Sequence, residues 1–374
     1  MKDGIYKLCA LNLGSTSTKV AVFENESLVF SSNVAHDANR LKQFNEIADQ
    51  VPYRKQTILD ELAKKNISLE GTDAFIGSGG SLVSVDGGTY LCNDLLLHHA
   101  RIGYTIMHPA AIGSLLADEF ARDFGSNAYV VNPPDVDEFE PVARFTGWND
   151  IYRESRVHVL NQKEVGQRYA RELGKRYDEV NLVIAHIGGG LTVTAHRKGR
   201  MIDSTDAVQG DGPMAPTRCG AIPVASVIKL CFSGKYSERE LQDRVRKNGG
   251  LVDHLGTSDT REVTQRIKAG DEHAKLVYDA FIYQIGKYIG AYAAVLHGKV
   301  DGVLLTGGCS HDPYLVERVT EMVSYIAPVK VYPGELEMEA MASGALRVLT
   351  GQEKPRIYTG VPVWPGLELA ATAK

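Results

Sequence analysis
A plan written twice constrains this chain more than any single motif does. Residues 10–30 run strand, small-residue turn, strand, turn, strand, and residues 185–203 repeat that order. In the first copy an apolar, partly alternating run at 5–13 gives way to a turn rich in Gly, Ser and Thr at 12–18, and strands resume at 19–23 and 28–34. In the second, 182–187 runs into Gly188-Gly189-Gly190, followed by strands at 191–196 and 200–203. A second echo follows in the same order: Asp73-Ala-Phe-Ile-Gly-Ser-Gly-Gly80 and Asp301-Gly-Val-Leu-Leu-Thr-Gly-Gly308 are each a short strand ending in Gly-Gly after a helical segment (39–65 and 272–297). Glycine-rich turns after strands are common, so one echo has little force. Two in register predict a duplicated α/β unit, each a mixed sheet flanked by helices. Helical spacing at 108–124 and a strand at 128–131, stopped by Asn132-Pro133-Pro134, complete the first copy. The boundary is expected at 153–157. That gives a first domain of 1–155 with a helix at 337–350 returning to it, a second of 156–336, and a loose tail from 351 that carries three prolines.

Composition narrows the function by exclusion. A net charge of −5 leaves no electrostatic footprint for nucleic acid or an anionic membrane. No apolar stretch is long enough to cross a bilayer, and no signal peptide is read at the start. The five cysteines (Cys9, Cys92, Cys219, Cys231 and Cys309) form no C-x-x-C pair, so reduced thiols in a cytoplasmic protein are expected. The P-loop, complete G-x-G-x-x-G, H-E-x-x-H and G-x-S-x-G patterns are absent, against a P-loop ATPase, a nicotinamide dehydrogenase, a zincin and an α/β-hydrolase.

The turns carry the chemistry. In Asn12-Leu-Gly-Ser-Thr-Ser-Thr-Lys19 small side chains let the backbone approach a phosphate, and successive N–H groups can form an anion nest; an ordinary hairpin turn is the competing reading. Ala185-His-Ile-Gly-Gly-Gly-Leu191 places His186 at a strand end beside three glycines that leave room for a ligand. The long loop around Gly210-Asp-Gly-Pro213 offers Arg218, whose guanidinium fork matches phosphate oxygens. Thr306-Gly307-Gly308 ends a strand and is expected against a nucleotide, and Glu337, opening a helical run, is a carboxylate able to reach a Mg²⁺-bound water.

With these segments in view, the chain resembles the butyrate kinase branch of the acetate and butyrate kinase family, within the actin-like, hexokinase-like phosphotransferases. The resemblance spans roughly residues 8–351 and rests on the motifs above together with Val157-His-Val-Leu-Asn-Gln-Lys163, Ala195-His-Arg-Lys-Gly-Arg200, Asn248-Gly-Gly-Leu251 and Leu255-Gly-Thr-Ser-Asp259. It implies two duplicated actin-like ATPase (ribonuclease H-like) domains around a cleft, a homodimer, and reversible phosphoryl transfer between ATP and a short-chain carboxylic acid with Mg²⁺. It also implies that Asn12, Ser15 and Ser17 border the phosphate path, that His158 and His186 donate to phosphoryl oxygens, that Arg218 neutralises them, that Gly188, Gly189, Gly190, Thr306, Gly307 and Gly308 hold the nucleotide, and that Glu337 positions the metal. Two departures stand out. Ser78 replaces a family arginine that pairs with substrate, and Asn132 replaces a family aspartate that helps hold the metal. Serine cannot supply a guanidinium, and an amide is neutral where a carboxylate is charged. Arg101 or Arg144 is a candidate to supply the missing cation. Either the substrate preference is shifted, or the chain binds nucleotide or acyl phosphate as an impaired paralogue.

Overall fold
The computed structural model describes residues 4–366, which fall into two units, one of 4–137 with 336–366 and one of 138–335. In the first unit, β1 (Lys7–Leu13), β2 (Ser17–Glu24) and β3 (Ser27–Ala35) form an antiparallel meander. Parallel to β1 lies β4 (Ala74–Gly77), and parallel to β4 lies β6 (Asn127–Val131). Beyond β6 come the antiparallel β5 (Thr89–Leu91) and, at the edge, β12 (Arg356–Ile357). In the second unit, β7 (Asn181–Ile187), β8 (Leu191–Arg197) and β9 (Arg200–Ser204) form the same meander, with β10 (Gly302–Gly307) parallel to β7 and β11 (Val329–Pro333) parallel to β10. The strand orders β3-β2-β1-β4-β6 and β9-β8-β7-β10-β11 therefore coincide in sequence and in direction.

The echo extends to single hydrogen bonds. Asp73 donates its N–H to the Lys7 carbonyl and accepts the Lys7 N–H on its carboxylate, both at 2.8 Å. Asp301 does the same to Asn181, again at 2.8 Å twice. Each aspartate fixes the register in which the fourth strand enters beside the first. The strands at the centre read as near-continuous apolar runs because helices cover both faces. β7 is buried from Leu182 onward, and β1 from Leu8 to Leu11, whereas the edge strand β3 is mostly exposed.

Three expectations change in detail. The expected 39–65 helix is a single turn, Ala38–Leu41, and then a helix at Val51–Lys64 that restarts with Pro52 in its first turn, where a missing N–H costs nothing. Residues 138–155 were assigned to the first domain but pack with the second unit: Glu138 is buried against Lys163 at 2.8 Å, and Arg153 pairs with Asp203 and Asp211. The segment expected as a loose tail adds strand β12 to the first sheet and buries Tyr358, whose hydroxyl accepts from the Val83 N–H and meets His99 Nδ1 at 2.8 Å. The last eight residues of that segment, and the first three of the chain, lie outside the described residues.

Candidate active site
In the second unit His158, His186 and Arg218, expected at the site, gather where β7 turns into β8. His186 is the penultimate residue of β7 and is 2% exposed. The Gly188–Gly190 turn closes on itself through a bond from the Gly188 N–H to the Gly190 carbonyl at 2.9 Å. A Cβ at Gly190 would enter the Arg218 guanidinium, so the absence of a side chain there is what lets Arg218 lie against the turn. The loop that carries Arg218 is held over the turn by Thr217, whose hydroxyl donates to the Gly189 carbonyl at 2.9 Å. Arg218 donates through Nη1 to the Ala207 carbonyl, while its Nε is buried with no hydrogen-bond partner. Among the described residues it makes no salt bridge, and burial lowers its pKa. Asp206 acts on it electrostatically without forming an ion pair, so the guanidinium keeps a buried donor that an anion could take up.

His158 caps the Val159–Glu172 helix, which places its ring on that of His186. The two imidazoles stack with centroids 3.9 Å apart and planes 7° from parallel. Two protonated rings cannot share that distance. Burial, with Arg218 adding to it, pulls His186 down to about 4, and burial, His186 and Arg218 pull His158 well below its usual value. Both rings are therefore neutral near pH 7. Asn161 Nδ2 lies 2.9 Å from His186 Nδ1, and Thr192 Oγ1 lies 2.9 Å from His158 Nδ1.

Of the six residues expected at the nucleotide, the three that end β10 separate from one another. The Thr306 hydroxyl is fully buried between Asn161 and the Gly334 carbonyl. Gly307, at φ +89°, is tied to Gly334 by two backbone bonds and leaves no space beside Ile187. Only Gly308 opens outwards, onto a cavity of about 830 Å³ between the starts of the Thr260–Lys268 and Pro313–Val323 helices. Asp259, Arg261, Lys268, His311 and Tyr314 also line it. Asp259 caps the first of these helices and receives a forked pair of bonds from Arg261 at 2.9 and 2.7 Å. The Leu255–Asp259 motif carries no mark in sequence of this place beside the cavity. The carboxyl end of a central parallel strand is where such sheets bind ligands.

In the first unit the expected residues sit at the ends of β1, β4 and β6. Asn12 donates to Glu337 Oε2 at 2.6 Å, joining two residues read separately from the sequence, one for phosphate and one for metal. Ser15 is exposed, and Ser17 opens β2, its carbonyl accepting the Gly14 N–H at 2.8 Å. Beneath this turn lies Arg54, unread in the sequence and 0% exposed. Its guanidinium donates to the carbonyls of Gly14, Ser15 and Ser17 and to Gln50 Oε1. Only its position, within a helical segment and far from the turn in sequence, was available to signal it, and that is no signal. Ser78 is turned into the backbone: its hydroxyl donates to the Ala110 carbonyl at 2.9 Å and accepts the Leu13 N–H at 3.2 Å. Asn132 is buried at φ +42°, a conformation asparagine tolerates better than most residues, with its side-chain oxygen accepting the Gly88 N–H at 2.8 Å. Of the two candidate replacements for the missing cation, Arg101 is exposed, and Arg144 is buried in the other unit with Nη2 on the Phe139 carbonyl. Among the described residues no group of three or more His, Cys, Asp or Glu side chains forms a metal cage.

The paired sheets, each with its glycine- or serine-lined turn after the first strand, define a duplicated actin-like, ribonuclease H-like fold. Comparison with known proteins agrees. The acetokinase family matches residues 151–335. A protein named probable butyrate kinase from Clostridium botulinum (strain Eklund 17B / Type B) is 43% identical over 353 residues, covering 94% of this chain and 99% of that protein. Butyrate kinase 2 of Clostridium acetobutylicum is also 43% identical with the same coverage. Among solved structures, Porphyromonas gingivalis acetate kinase superposes with a TM-score of 0.74 at 20% identity, over 92% of this chain and all of that one. A propionate kinase from Francisella tularensis gives 0.68 at 18% identity, over 91% and 98%. The chain belongs to the acetokinase family, on its butyrate kinase branch.

Proposed function
We propose that this chain transfers a phosphoryl group reversibly between ATP and butyrate or a related short or branched-chain fatty acid, giving acyl phosphate and ADP. The observation that carries the reading is the neutral His158–His186 stack beside Arg218 and the Gly188–Gly190 turn. Phosphoryl transfer asks little covalent help of a protein; it asks for donors and a cation around the equatorial oxygens. Two neutral imidazoles and one guanidinium supply that without a general base. The cavity at Gly308 fits the nucleoside end of the nucleotide, and the Asn12–Ser17 turn, exposed at Ser15 and Thr16, fits a phosphate.

Magnesium suits the residues present. Mg²⁺ binds through one or two carboxylates plus substrate phosphates and its own waters, not through an all-protein cage. Glu337, held by Asn12, is such a carboxylate, and the bound ion would neutralise charge on the phosphates. A homodimer is supported by the Val224–Cys231 helix, which is apolar yet buries none of its residues; Ile222, Val224, Ile228 and Phe232 are exposed, the last at 87%. The substitution Phe232→Asp is expected to shift the protein to monomer in sedimentation. Five free thiols suit the reducing cytoplasm, and among the described residues no helix is long and apolar enough to cross a membrane.

The test is incubation with ATP, Mg²⁺, hydroxylamine and C2 to C6 acids. Acyl hydroxamate is expected with butyrate among the best substrates, and none from any acid would overturn the reading. The impaired-paralogue alternative rests on Ser78 and Asn132, whose side chains engage backbone groups. Its signature is ATP affinity without hydroxamate, with turnover appearing in the Ser78→Arg, Asn132→Asp double variant.

A further inference from the structure
We propose that Asn161 and Gln162, adjacent on the Val159–Glu172 helix, fix the proton of both stacked imidazoles on Nε2, so that His186 and His158 are hydrogen-bond donors and neither is a base. The assignment of proton positions follows from groups that have only one hydrogen-bonding role.

The first relay starts at a backbone carbonyl. The Gly334 oxygen can only accept, so the Thr306 hydroxyl, 3.2 Å away, donates to it. That hydroxyl then accepts from Asn161, whose amide nitrogen stands at 3.1 Å. The orientation of the Asn161 amide is thereby settled, and the same nitrogen lies 2.9 Å from His186 Nδ1. Nδ1 accepts, and the proton sits on Nε2, the atom facing the glycine turn: a Cβ at Gly188 would stand 3.1 Å from it.

The second relay is longer and ends at the other ring. Gln162 Nε2 lies 2.7 Å from Thr192 Oγ1 and 3.5 Å from the Thr192 carbonyl, two acceptors that orient its amide. Gln162 Oε1 therefore accepts, from His196 Nε2 at 2.9 Å. His196 Nδ1 accepts in turn from the Tyr177 hydroxyl at 2.6 Å, since burial keeps His196 neutral with one N–H only. Thr192 Oγ1 accepts from Gln162, and among the described residues the one acceptor in reach of its hydrogen is His158 Nδ1 at 2.9 Å, so His158 keeps its proton on Nε2. Two neighbouring amides thus set two neighbouring rings through independent chains of bonds. Asn161 and Gln162 are positioning residues, and their consequence for catalysis rests on the phosphotransferase reading above.

The experiment reads the protons directly. Protein labelled with ¹⁵N-histidine, without substrate at pH 7, is expected to show protonated Nε2 and unprotonated Nδ1 for His158 and His186. In Asn161→Asp a carboxylate that only accepts replaces the donor, so the His186 proton moves to Nδ1. Turnover then falls about 10²-fold, the cost of one lost transition-state donor, while KM for the acid stays within about twofold. Gln162→Glu is expected to move the His158 proton in the same way. A proton on Nδ1 of either ring in the unaltered protein overturns the proposal whether or not the variants fold. So does a variant in which the proton moves and turnover does not. Should the unaltered chain make no acyl phosphate, the assigned reaction falls, while the ¹⁵N shifts still decide the proton positions.

Discussion
The two units share a strand order, a register-setting aspartate and a small-residue turn after the first strand, yet they use arginine in opposite ways. In the second unit Arg218 lies against the turn, with a buried Nε that meets no partner. In the first unit Arg54 lies beneath the turn, and its three nitrogens are all bonded to carbonyls of residues 14, 15 and 17, to Thr18 and to Gln50. Arg54 is thus committed to the backbone and cannot grip a ligand. By drawing the carbonyls inward it leaves the amide edge of the turn for one, and its charge stays uncancelled by any ion pair among the described residues. Both arrangements bring positive potential to the same place in the fold, one through a side chain and one through an oriented backbone.

The comparison breaks first on Arg218. Arg218→Lys removes the fork but keeps a charge, and turnover is expected to fall about 10²–10³-fold. The urea midpoint should hold or rise slightly, because a desolvated, under-bonded cation contributes little to stability. A lowered urea midpoint with turnover retained in native buffer would show that the side chain is structural. Arg54→Met is expected to do the reverse in its primary readout. Three carbonyls and the Gln50 amide lose their donor inside the protein, at about 3 kcal/mol in total after partial relaxation, seen as a lower urea midpoint. KM for the phosphate-bearing substrates should rise with it, since the turn loses its shape.

A smaller, reversible effect separates the units by pH. His36, beside Thr18 in the first unit, and His186 in the second are each pulled down to about 4, both mainly by burial and secondarily by the nearby arginine, Arg54 or Arg218. The unfolded chain binds protons at these sites near pH 6.5 and the folded chain does not, so the unfolded state gains protons first. The stability they contribute is complete above pH 6.5 and is lost as pH falls from 6.5 through 4. Denaturant titrations of His36→Gln and His186→Gln should each show a shallower decline over that window, and an unchanged slope in both would refute the neutral-histidine picture.

What the sequence made legible was periodic or local. Alternation and glycine placement gave the meanders, the two Asp-to-Gly-Gly strands and hence the duplication, because these features depend on neighbours in the chain. His158, His186 and Arg218 were legible as residue types beside glycines. Arg54, Asn161 and Gln162 were not, since each acts on a partner brought near by the fold: Arg54 lies some 40 residues from the turn it holds, and Asn161 lies 25 residues from His186 and 145 from Thr306. Thr306 is expected at a ligand because it precedes Gly-Gly at a strand end, and Ser78 because it stands where the family has a substrate-pairing arginine; in each case the hydroxyl donates to a backbone carbonyl. Small hydroxyl side chains next to backbone commonly satisfy it, and the sequence carries no mark of which way they turn. The helix of 39–65 is interrupted instead by a 3-10 turn at Ile47–Gln50, which buries Ala48 and Gln50 and leads into Val51 and Pro52.

The finest test compares one methyl group in the two turns. At Gly190 an added Cβ enters the Arg218 guanidinium, and the flexible side chain rather than the backbone must give way. Gly190→Ala is therefore expected to displace Arg218 and lower turnover by about tenfold, with stability changed by under about 1 kcal/mol, as for a substitution whose clash a mobile side chain absorbs. At Gly14 the added Cβ meets only the Ser17 carbonyl at 3.5 Å and the Ser17 hydroxyl at 3.7 Å, ordinary contacts. Gly14→Ala should change turnover less than about twofold and stability by under about 0.5 kcal/mol. If the two alanines behaved alike, the contrast between a cation over one turn and a cation beneath the other would have no consequence for the reaction. If only Gly190→Ala responds, and a further Arg218→Lys change adds little to it, the methyl acts through the guanidinium, and the side on which each arginine lies is what distinguishes the two halves.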